Sequence, residues 1–209
     1  MRRKKNSPVL VVGSHPDDIE FGCAGTCCRF ARLGHPVHAL VMTPGNEGGE
    51  PGCRQREQMK SAGILGITEV FWGGFEDTKL PLYQNVIPEI ETIVKKVKPG
   101  YVLVHHGKDT HQDHRHVSTS TVAATRNIPN VLFYEGPTTY GFEPDVFVNI
   151  NDVMNTKLRA LRCHKSQVMR TNINQRSIID IASATATFRG TQCRVAYAEA
   201  FRSLRAFLI

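Results

Sequence analysis

Two short segments of the chain are unusually dense in ionisable side chains. The first is HPDD at residues 15–18 and the second is DTHQDH at residues 109–114. In each segment two possible ligands stand three residues apart, namely His15 and Asp18 in the first and His111 and His114 in the second. Residues at this spacing lie on one side of the first turn of a helix, so each pair can converge on a point. Two neutral imidazoles and one carboxylate form a three-ligand site for a divalent cation with positions left open for water, which is typical of catalytic metal centres.

The acidic groups left over suit hydrolysis. That reaction needs a carboxylate to deprotonate the attacking water and a histidine to meet the oxyanion. An aspartate at a helix start is also a common cap, and either segment alone is as well explained by a turn. Both segments together hold three histidines and four aspartates, which is hard to explain by capping. The pair of segments therefore favours a metal-dependent hydrolase.

The elements around these segments predict a Rossmann-like, doubly wound α/β fold. Apolar, β-branched runs predict strands at 9–13, 37–43, 69–73, 101–106, 131–135, 146–150 and 194–201. Amphipathic stretches predict helices at 20–34, 54–66, 86–98, 115–127, 152–164 and 174–188, the fifth with Asp152 as its N-cap. Strands that are apolar on both faces and alternate with helices indicate a mostly parallel sheet with helices on both faces.

Ionisable residues concentrate where the predicted strands end. In open parallel sheets, ligands bind at the carboxyl ends of the strands. The loops that leave the strands hold His15, Asp17, Asp18, Glu47, Asp77, Asp109, His111, Asp113 and His114, with Arg54 just beyond one of them. The connections from helix to strand at 34–36, 66–68 and 98–100 carry little chemistry. The sequence therefore predicts one site at one edge of the sheet, with His105 and His106 lining or supporting it rather than binding the metal.

Composition and charge bound the class of protein. Apolar residues make up 41% of the 209 residues and charged residues 22%, which is ordinary for a globular domain. The net charge is +7, but four of those charges come from residues 2–5, and the remainder has 22 basic and 19 acidic residues. We therefore expect a disordered basic tail at 1–7, a single domain at 8–209 and no nucleic-acid partner. The apolar run after the tail is too short for a signal peptide, and no window approaches a membrane span, so we expect a cytoplasmic protein.

Other classes of protein fit less well. A nucleotide-binding oxidoreductase needs G-x-G-x-x-G after the first strand, and that motif is absent, as is G-x-x-x-x-G-K-[ST]. The six cysteines include no C-x-x-C pair, so we interpret them as small packed thiols. A non-catalytic metal- or sugar-binding α/β module is the alternative that stays open, although it would leave the additional acidic and imidazole groups without a role.

The motifs resemble those of a known family. SHPDDIEFGCAGT at 14–26, together with DTHQDH, is similar to the LmbE/PIG-L family of metal-dependent N-acetylglucosaminyl deacetylases. TPGNEGG, R-x-x-E at 54–57, ALRCHKSQ and AYAEAFR match further landmarks of that family, so the resemblance covers nearly the whole chain. The resemblance implies hydrolysis of an N-acetyl or short N-acyl amide on a small glucosamine-type sugar or glycoside. It also implies a homo-oligomer.

The resemblance also implies a role for each residue of the two segments. The implied metal ligands are His15, Asp18 and His114. The implied cation is Zn²⁺, with Fe²⁺ as the alternative for this donor set. Asp17 takes the place of the general base, and His111 that of the group that stabilises the oxyanion and protonates the leaving amine. Asp113 takes the place of the aspartate that orients His111.

The substrate-binding positions are Arg54, Asp77 and Glu47. Arg54 and Asp77 match family positions that contact the sugar, and Glu47 lies in the loop after the second predicted strand. A solvated charge at a helix start is the alternative for Arg54. Two departures from the family pattern, Ile19 in place of a glutamate and Gln112 in place of a proline, touch no implied ligand but leave the aglycone of the sugar open.

Overall fold

Seven strands form one sheet in the computed structural model, which describes residues 6–171 and 173–207. They are β1 (Val9–Gly13), β2 (Val37–Val41), β3 (Glu69–Trp72), β4 (Tyr101–His105), β5 (Asn130–Tyr134), β6 (Val146–Asn149) and β7 (Ala198–Arg205). The strand order is β3-β2-β1-β4-β5-β7-β6. The first five strands are parallel to one another, and β7 runs antiparallel to both β5 and β6. The sheet is therefore mostly parallel, as the sequence predicts.

Helices cover both faces of this sheet. They are α1 (Asp18–Arg32), α2 (Pro51–Leu65), α3 (Val86–Val97), α4 (Gln112–Ala124), α5 (Met154–Leu161) and α6 (Ile178–Gln192), with a short 3₁₀ turn at Asn46–Gly48. Successive residues of a strand point to opposite faces. Leu10 and Val12 accordingly pack with Ile90 of α3, whereas Val9 and Val11 pack on α1. The predicted α/β class with helices on both faces is confirmed.

The last predicted helix and strand are each displaced by four residues. Ser177 forms a reciprocal capping box with Asp180, so α6 begins at Ile178 instead of residue 174. The following strand, β7, likewise begins at Ala198 instead of residue 194. The prediction of Asp152 as an N-cap is wrong, because α5 begins at Met154 and the Asp152 carboxylate pairs with Arg29 instead.

The predicted tail falls largely outside the described part of the chain. Residues 1–5 are not among the residues that the structure describes. The disordered tail at 1–7 and the single domain at 8–209 therefore stay predictions. In the described ranges, no helix combines the length and the apolar character needed to cross a membrane.

Candidate active site

The two ionisable segments meet because β1 and β4 are neighbours in the sheet. The chain leaves β1 at Gly13 and enters α1 at Asp18, and it leaves β4 at His105 and enters α4 at Gln112. The first turn is tight: Asp18 Oδ2 accepts the backbone N–H groups of Ser14 and His15 at 3.1 and 2.7 Å. This geometry fixes the Asp18 carboxylate at the carboxyl end of the sheet.

His15, Asp18 and His114 form a compact set of possible metal ligands. One donor atom from each lies within 4.8 Å of the others. His15 Nδ1 is 3.3 Å from Asp18 Oδ2, and His114 Nε2 is 3.3 Å from Asp18 Oδ1. A second set, His15 with His111 and Asp113, meets the same distance limit. Two imidazoles and a carboxylate at this spacing fit a divalent cation such as Zn²⁺ or Fe²⁺.

Carboxylates face the outer nitrogens of both histidines in the first set. His15 Nε2 is 3.0 Å from Asp77 Oδ1 and 3.2 Å from Asp113 Oδ2. His114 Nδ1 is 3.2 Å from Asp109 Oδ2. Metal-binding histidines characteristically direct their other ring nitrogen at a carboxylate, which fixes the tautomer and raises the basicity of the ligand. These contacts support a metal centre at His15, Asp18 and His114.

The same carboxylates shift the pKa values of the histidines. Burial lowers the pKa of His114, but the neighbouring Asp18 and Asp109 outweigh it and raise the value to about 9. Burial also opposes protonation of His15, yet its hydrogen bonds to Asp113, Asp18 and Asp77 raise its pKa well above the usual range. A cation must displace the ligand protons, because imidazoles coordinate in the neutral form. Metal affinity at this site should therefore increase with pH.

Asp17 holds an unusual backbone conformation beside the ligands. Its φ is 101°, a value that non-glycine residues rarely adopt. Burial raises the pKa of its carboxyl to about 6, against the opposing charge of Arg54. A carboxylate with this pKa is deprotonated at neutral pH and still basic enough to accept a proton from water.

Arg54 is buried and joined to the Asp17 turn. Its guanidinium donates to Pro16 O at 2.6 Å and to Gly45 O at 2.7 Å, and it lies 3.4 Å from Asp17 Oδ1. Gly45 has a left-handed φ of 71°, and a Cβ there would lie 2.2 Å from the guanidinium. The alternative of a solvated helix-start charge for Arg54 is therefore wrong. Arg54 lines the cavity and also supports Asp17.

His111 is the N-cap of α4. Its Nδ1 accepts the backbone N–H of Asp113 at 3.2 Å, so the proton of the neutral ring is on Nε2. The Asp113 carboxylate does not bond to His111 as expected, since its Oδ2 accepts from Thr78 N at 2.8 Å and contacts His15 Nε2. The expected orienting contact is thus corrected: the main chain of Asp113 orients His111, and its side chain supports His15.

A cavity of about 970 Å³ opens above these residues. Every predicted site residue except Asp113 lines it, namely His15, Asp17, Asp18, Glu47, Arg54, Asp77, His111 and His114. Asp77 is buried, and its Oδ2 accepts the backbone N–H of Glu47 at 2.9 Å, while Glu47 itself is exposed at the mouth. The ionisable residues of the strand-end loops therefore lie together at one edge of the sheet, and their roles stay predictions.

Further residues surround the ligand set, and one of them, Asp109, was not assigned a role from the sequence. Asp109, the first residue of DTHQDH, is buried against His114, and its carboxylate accepts hydrogen bonds from the hydroxyl groups of Thr138 and Thr139. His105 supports the site as expected, with its Nε2 3.2 Å from Asp18 Oδ2. His106 does not line or support the site as expected, because it packs against Phe142 and is not among the residues that line the cavity.

A buried polar cluster lies behind the Asp17 turn. Glu20 accepts from Gln58 Nε2 at 2.8 Å and from Ser61 Oγ at 2.6 Å, and it lies 3.4 Å from His164 Nε2. Gln58 Oε1 in turn accepts the backbone N–H of Asp17 at 3.4 Å. The position of Glu20 one residue later than the family glutamate was the available signal for this cluster.

Fold and site together define a class of α/β proteins with a possible His₂Asp metal site at the carboxyl edge of a mostly parallel sheet. Residues 10–125 match the PIG-L family, described as GlcNAc-PI de-N-acetylase, and the chain belongs to that family. It is 38% identical to the uncharacterized deacetylase YaiS of Escherichia coli over an alignment of 171 residues that covers 78% of this chain and 92% of that protein. It is 34% identical to the diacetylchitobiose deacetylase of Thermococcus kodakarensis over an alignment of 190 residues that covers 76% of this chain and 69% of that one.

A solved structure agrees with this assignment. The N,N'-diacetylchitobiose deacetylase of Pyrococcus horikoshii superposes with a TM-score of 0.85 at 26% identity, covering 96% of this chain and 85% of that one. The family resemblance predicted from the sequence motifs is confirmed.

Proposed function

We propose that the protein is a zinc-dependent N-deacetylase that hydrolyses the N-acetyl or short N-acyl amide of a glucosamine-type sugar or glycoside. The observation that carries the proposal is the convergence of a ligand set, the partly buried Asp17 carboxylate and a tautomerically fixed imidazole on one cavity. The similarity to proteins named as deacetylases supports it.

The metal site would be formed by His15, Asp18 and His114. A divalent cation held there would supply Lewis-acid polarisation of the amide carbonyl and acidification of water. Zn²⁺ is the proposed cation and Fe²⁺ the alternative, because both accept two imidazoles and a carboxylate.

Asp17 is the proposed general base. Its carboxylate lines the cavity beside the ligand set and has a pKa raised to about 6 by burial. It accepts a proton from water as the water oxygen bonds to the amide carbon. Arg54 limits this rise in pKa and holds the turn, so that the carboxylate stays ionised at neutral pH.

His111 is the proposed oxyanion group. With Nδ1 accepting from the main chain, its Nε2–H is free to donate to the carbonyl oxygen as negative charge develops there. When the C–N bond breaks, the amine leaves with the proton that Asp17 took from the water, and the acyl group leaves as a carboxylate. Asp17 therefore takes the acid role that the resemblance implies for His111, because a neutral imidazole that gave up its Nε2 proton would become an imidazolate. A preorganised donor of this kind typically contributes 10²–10³ in rate, as an order of magnitude.

Arg54, Asp77 and Glu47 are the proposed sugar contacts. All three line the cavity, with Arg54 and Asp77 buried and Glu47 exposed at the mouth. The geometry adds a second role for Asp77, since its Oδ1 supports His15. The homo-oligomeric state and the cytoplasmic location expected from the sequence stay predictions.

The direct test is a hydrolysis assay on purified protein. After chelator treatment, the protein should be inactive toward N-acetylated glucosaminides, and one equivalent of Zn²⁺ or Fe²⁺ per chain should restore the release of acetate and free amine. Full activity in metal-free protein would rule out the proposed mechanism. Stoichiometric metal binding without hydrolysis of any N-acetylated sugar would favour the binding module instead.

A further inference from the structure

The peptide group between Pro16 and Asp17 is held at both of its polar atoms by side chains of α2. Its carbonyl oxygen accepts from Arg54 Nη2 at 2.6 Å, and its N–H donates to Gln58 Oε1 at 3.4 Å. Arg54 and Gln58 stand four residues apart, so they lie on the same face of the helix. One face of α2 therefore contacts both sides of this peptide group.

The orientation of this peptide group determines the φ of Asp17, because φ is the torsion about the bond between the Asp17 nitrogen and its Cα. That φ is 101°. Non-glycine residues keep such a strained value only where the surrounding structure holds them there. Asp17 is the N-cap of α1, but its carboxylate makes no capping hydrogen bond and lines the cavity instead. The contacts from α2 therefore hold a turn that the N-cap side chain does not hold.

The Gln58 amide has a fixed orientation. Only its oxygen can accept the Asp17 N–H, because its other end is a donor. Gln58 Nε2 donates to Glu20 Oε1 at 2.8 Å, and the same oxygen accepts from Ser61 Oγ at 2.6 Å. With its NH₂ group bonded to this carboxylate, Gln58 presents its oxygen to Asp17. Glu20 thus selects which end of the amide faces the turn.

The residues behind the turn are closed off from water and from the cavity. Glu20, Gln58 and Ser61 each have an exposed fraction of 0%, and none of them lines the cavity. Water therefore cannot replace a hydrogen bond that is lost among them. Apolar side chains would fill the same space without the cost of desolvating polar groups. The polar character of the cluster is accounted for by the turn that it holds.

We propose that Gln58, oriented by Glu20, is a positioning residue for Asp17, holding the strained turn so that the carboxylate stays directed into the cavity. This inference rests on the proposed function, in which Asp17 is the general base. A reacting group that is misplaced by about 1 Å can cost about a hundredfold in rate. Because Gln58 does not reach the cavity, its loss should lower kcat and leave KM unchanged.

The first test is Gln58→Met, which keeps the length of the side chain and removes the acceptor. On the zinc-loaded variant with the methyl glycoside of N-acetylglucosamine, we expect kcat to fall by about 10–100-fold. KM should stay within about twofold of the wild-type value, and one equivalent of zinc should stay bound. Gln55→Met is the matched control, because it makes the same change on α2 at a residue that does not line this cavity, and it should leave both constants unchanged.

An exchange of the two side chains tests the role of Glu20. Gln58→Glu alone places two carboxylates against each other, so kcat should fall as in Gln58→Met. In Glu20→Gln/Gln58→Glu, the amide at position 20 can donate to the carboxylate at position 58, whose other oxygen can accept the Asp17 N–H. At least about tenfold of the lost kcat should return in this double variant. No return of kcat, in a double variant that keeps its zinc and its circular dichroism spectrum, would overturn the role of Glu20.

Three results for Gln58→Met would overturn the inference. An unchanged kcat would show that Asp17 keeps its position without Gln58. A higher KM with an unchanged kcat would assign Gln58 to sugar binding. Loss of zinc would show that the cluster supports the ligand Asp18 rather than Asp17.

A crystal structure separates this inference from the proposed function. If the wild-type protein hydrolyses no N-acetylated sugar, the proposed function fails, and the backbone of Asp17 decides the inference. A negative φ at Asp17 in zinc-loaded Gln58→Met, with a positive φ kept in zinc-loaded wild-type protein and in Gln55→Met, would sustain the positioning role. A φ of Asp17 that stays near 101° in Gln58→Met would overturn it.

Discussion

Lys157 and Glu199 form a buried ion pair at a break in α1, with Nζ 2.6 Å from Oε1. The break is at Cys23, whose φ of −150° and ψ of 21° are not helical. Beyond the break, the Glu199 carboxylate accepts hydrogen bonds from the backbone N–H groups of Gly25 and Thr26, at 2.9 and 2.7 Å. On the other side of the break, Lys157 donates to the carbonyl oxygen of Phe21. The ion pair thus replaces helical hydrogen bonds in the helix that begins with Asp18.

Removal of one partner of this pair should strongly destabilise the protein. We expect Lys157→Met to lower the free energy of unfolding by about 3–5 kcal/mol, because the Glu199 carboxylate would stay buried without its cation. Urea denaturation followed by circular dichroism measures this change. The exposed pair of Arg29 and Asp152 provides the control, and Arg29→Met should cost less than about 1 kcal/mol. A similar small loss for Lys157→Met would show that the pair is not what stabilises the break.

The break in α1 also marks the limit of prediction from sequence. The apolar runs predict the strands and their carboxyl ends, because buried strands leave a local pattern of β-branched residues. No local pattern reveals that residues 20–34 contain a break. Its partners, Lys157 and Glu199, come from α5 and β7 and become neighbours only in the folded chain. The motif AYAEAFR indicated that Glu199 belongs to the family pattern but not what it binds.

The direction of the Asp113 side chain could not be predicted for the same reason. The meeting of the two segments places Asp113 near both His111 and His15. Thr78 N, which comes from a different loop, donates to the Asp113 carboxylate and holds it beside His15 rather than His111. The convergence of the candidate ligands was easier to predict, because both pairs of residues three apart follow strands that are adjacent in the sheet. The choice of His15, Asp18 and His114 among them comes from the family resemblance and stays a prediction. Local spacing therefore predicts which residues converge, whereas tertiary contacts decide their hydrogen bonds.

The two histidines of the second segment should differ in metal binding. His114→Ala should lose metal affinity and activity together, because only His15 and Asp18 remain as ligands. His111→Ala should keep its metal, and its kcat should fall by roughly 10²–10³ through loss of one oxyanion donor. Metal content by atomic absorption and steady-state kinetics measure the two effects. Metal loss in His111→Ala with retention in His114→Ala would reverse the two roles.

Asp109 should tune the metal site without touching the metal. Its Oδ2 is 3.2 Å from His114 Nδ1, so Asp109→Asn weakens the contact that orients this ligand. Loss of such a contact typically lowers metal affinity by about 10–100-fold. Competition of the variant with a chromophoric chelator gives the dissociation constant. An unchanged constant would show that the carboxylate serves only the fold of the 136–139 loop, where Thr138 and Thr139 bond to it.

The pH dependence of activity should report the charge that Arg54 places beside Asp17. A general base must be deprotonated, so kcat/KM should fall as the pH drops through the pKa of Asp17. Burial raises that pKa to about 6 and Arg54 opposes the rise, while a bound cation lowers it further. The acid limb of the wild-type protein should therefore lie at or below about pH 6.

In Arg54→Met the opposing charge is gone, so the limb should move to higher pH and kcat should fall along with the rise in KM. Arg170→Met removes a cation at the mouth that bonds to Gly48 O, and it should leave the limb in place. If the limb in Arg54→Met stays where it is in the wild-type protein, Arg54 serves only to bind the sugar.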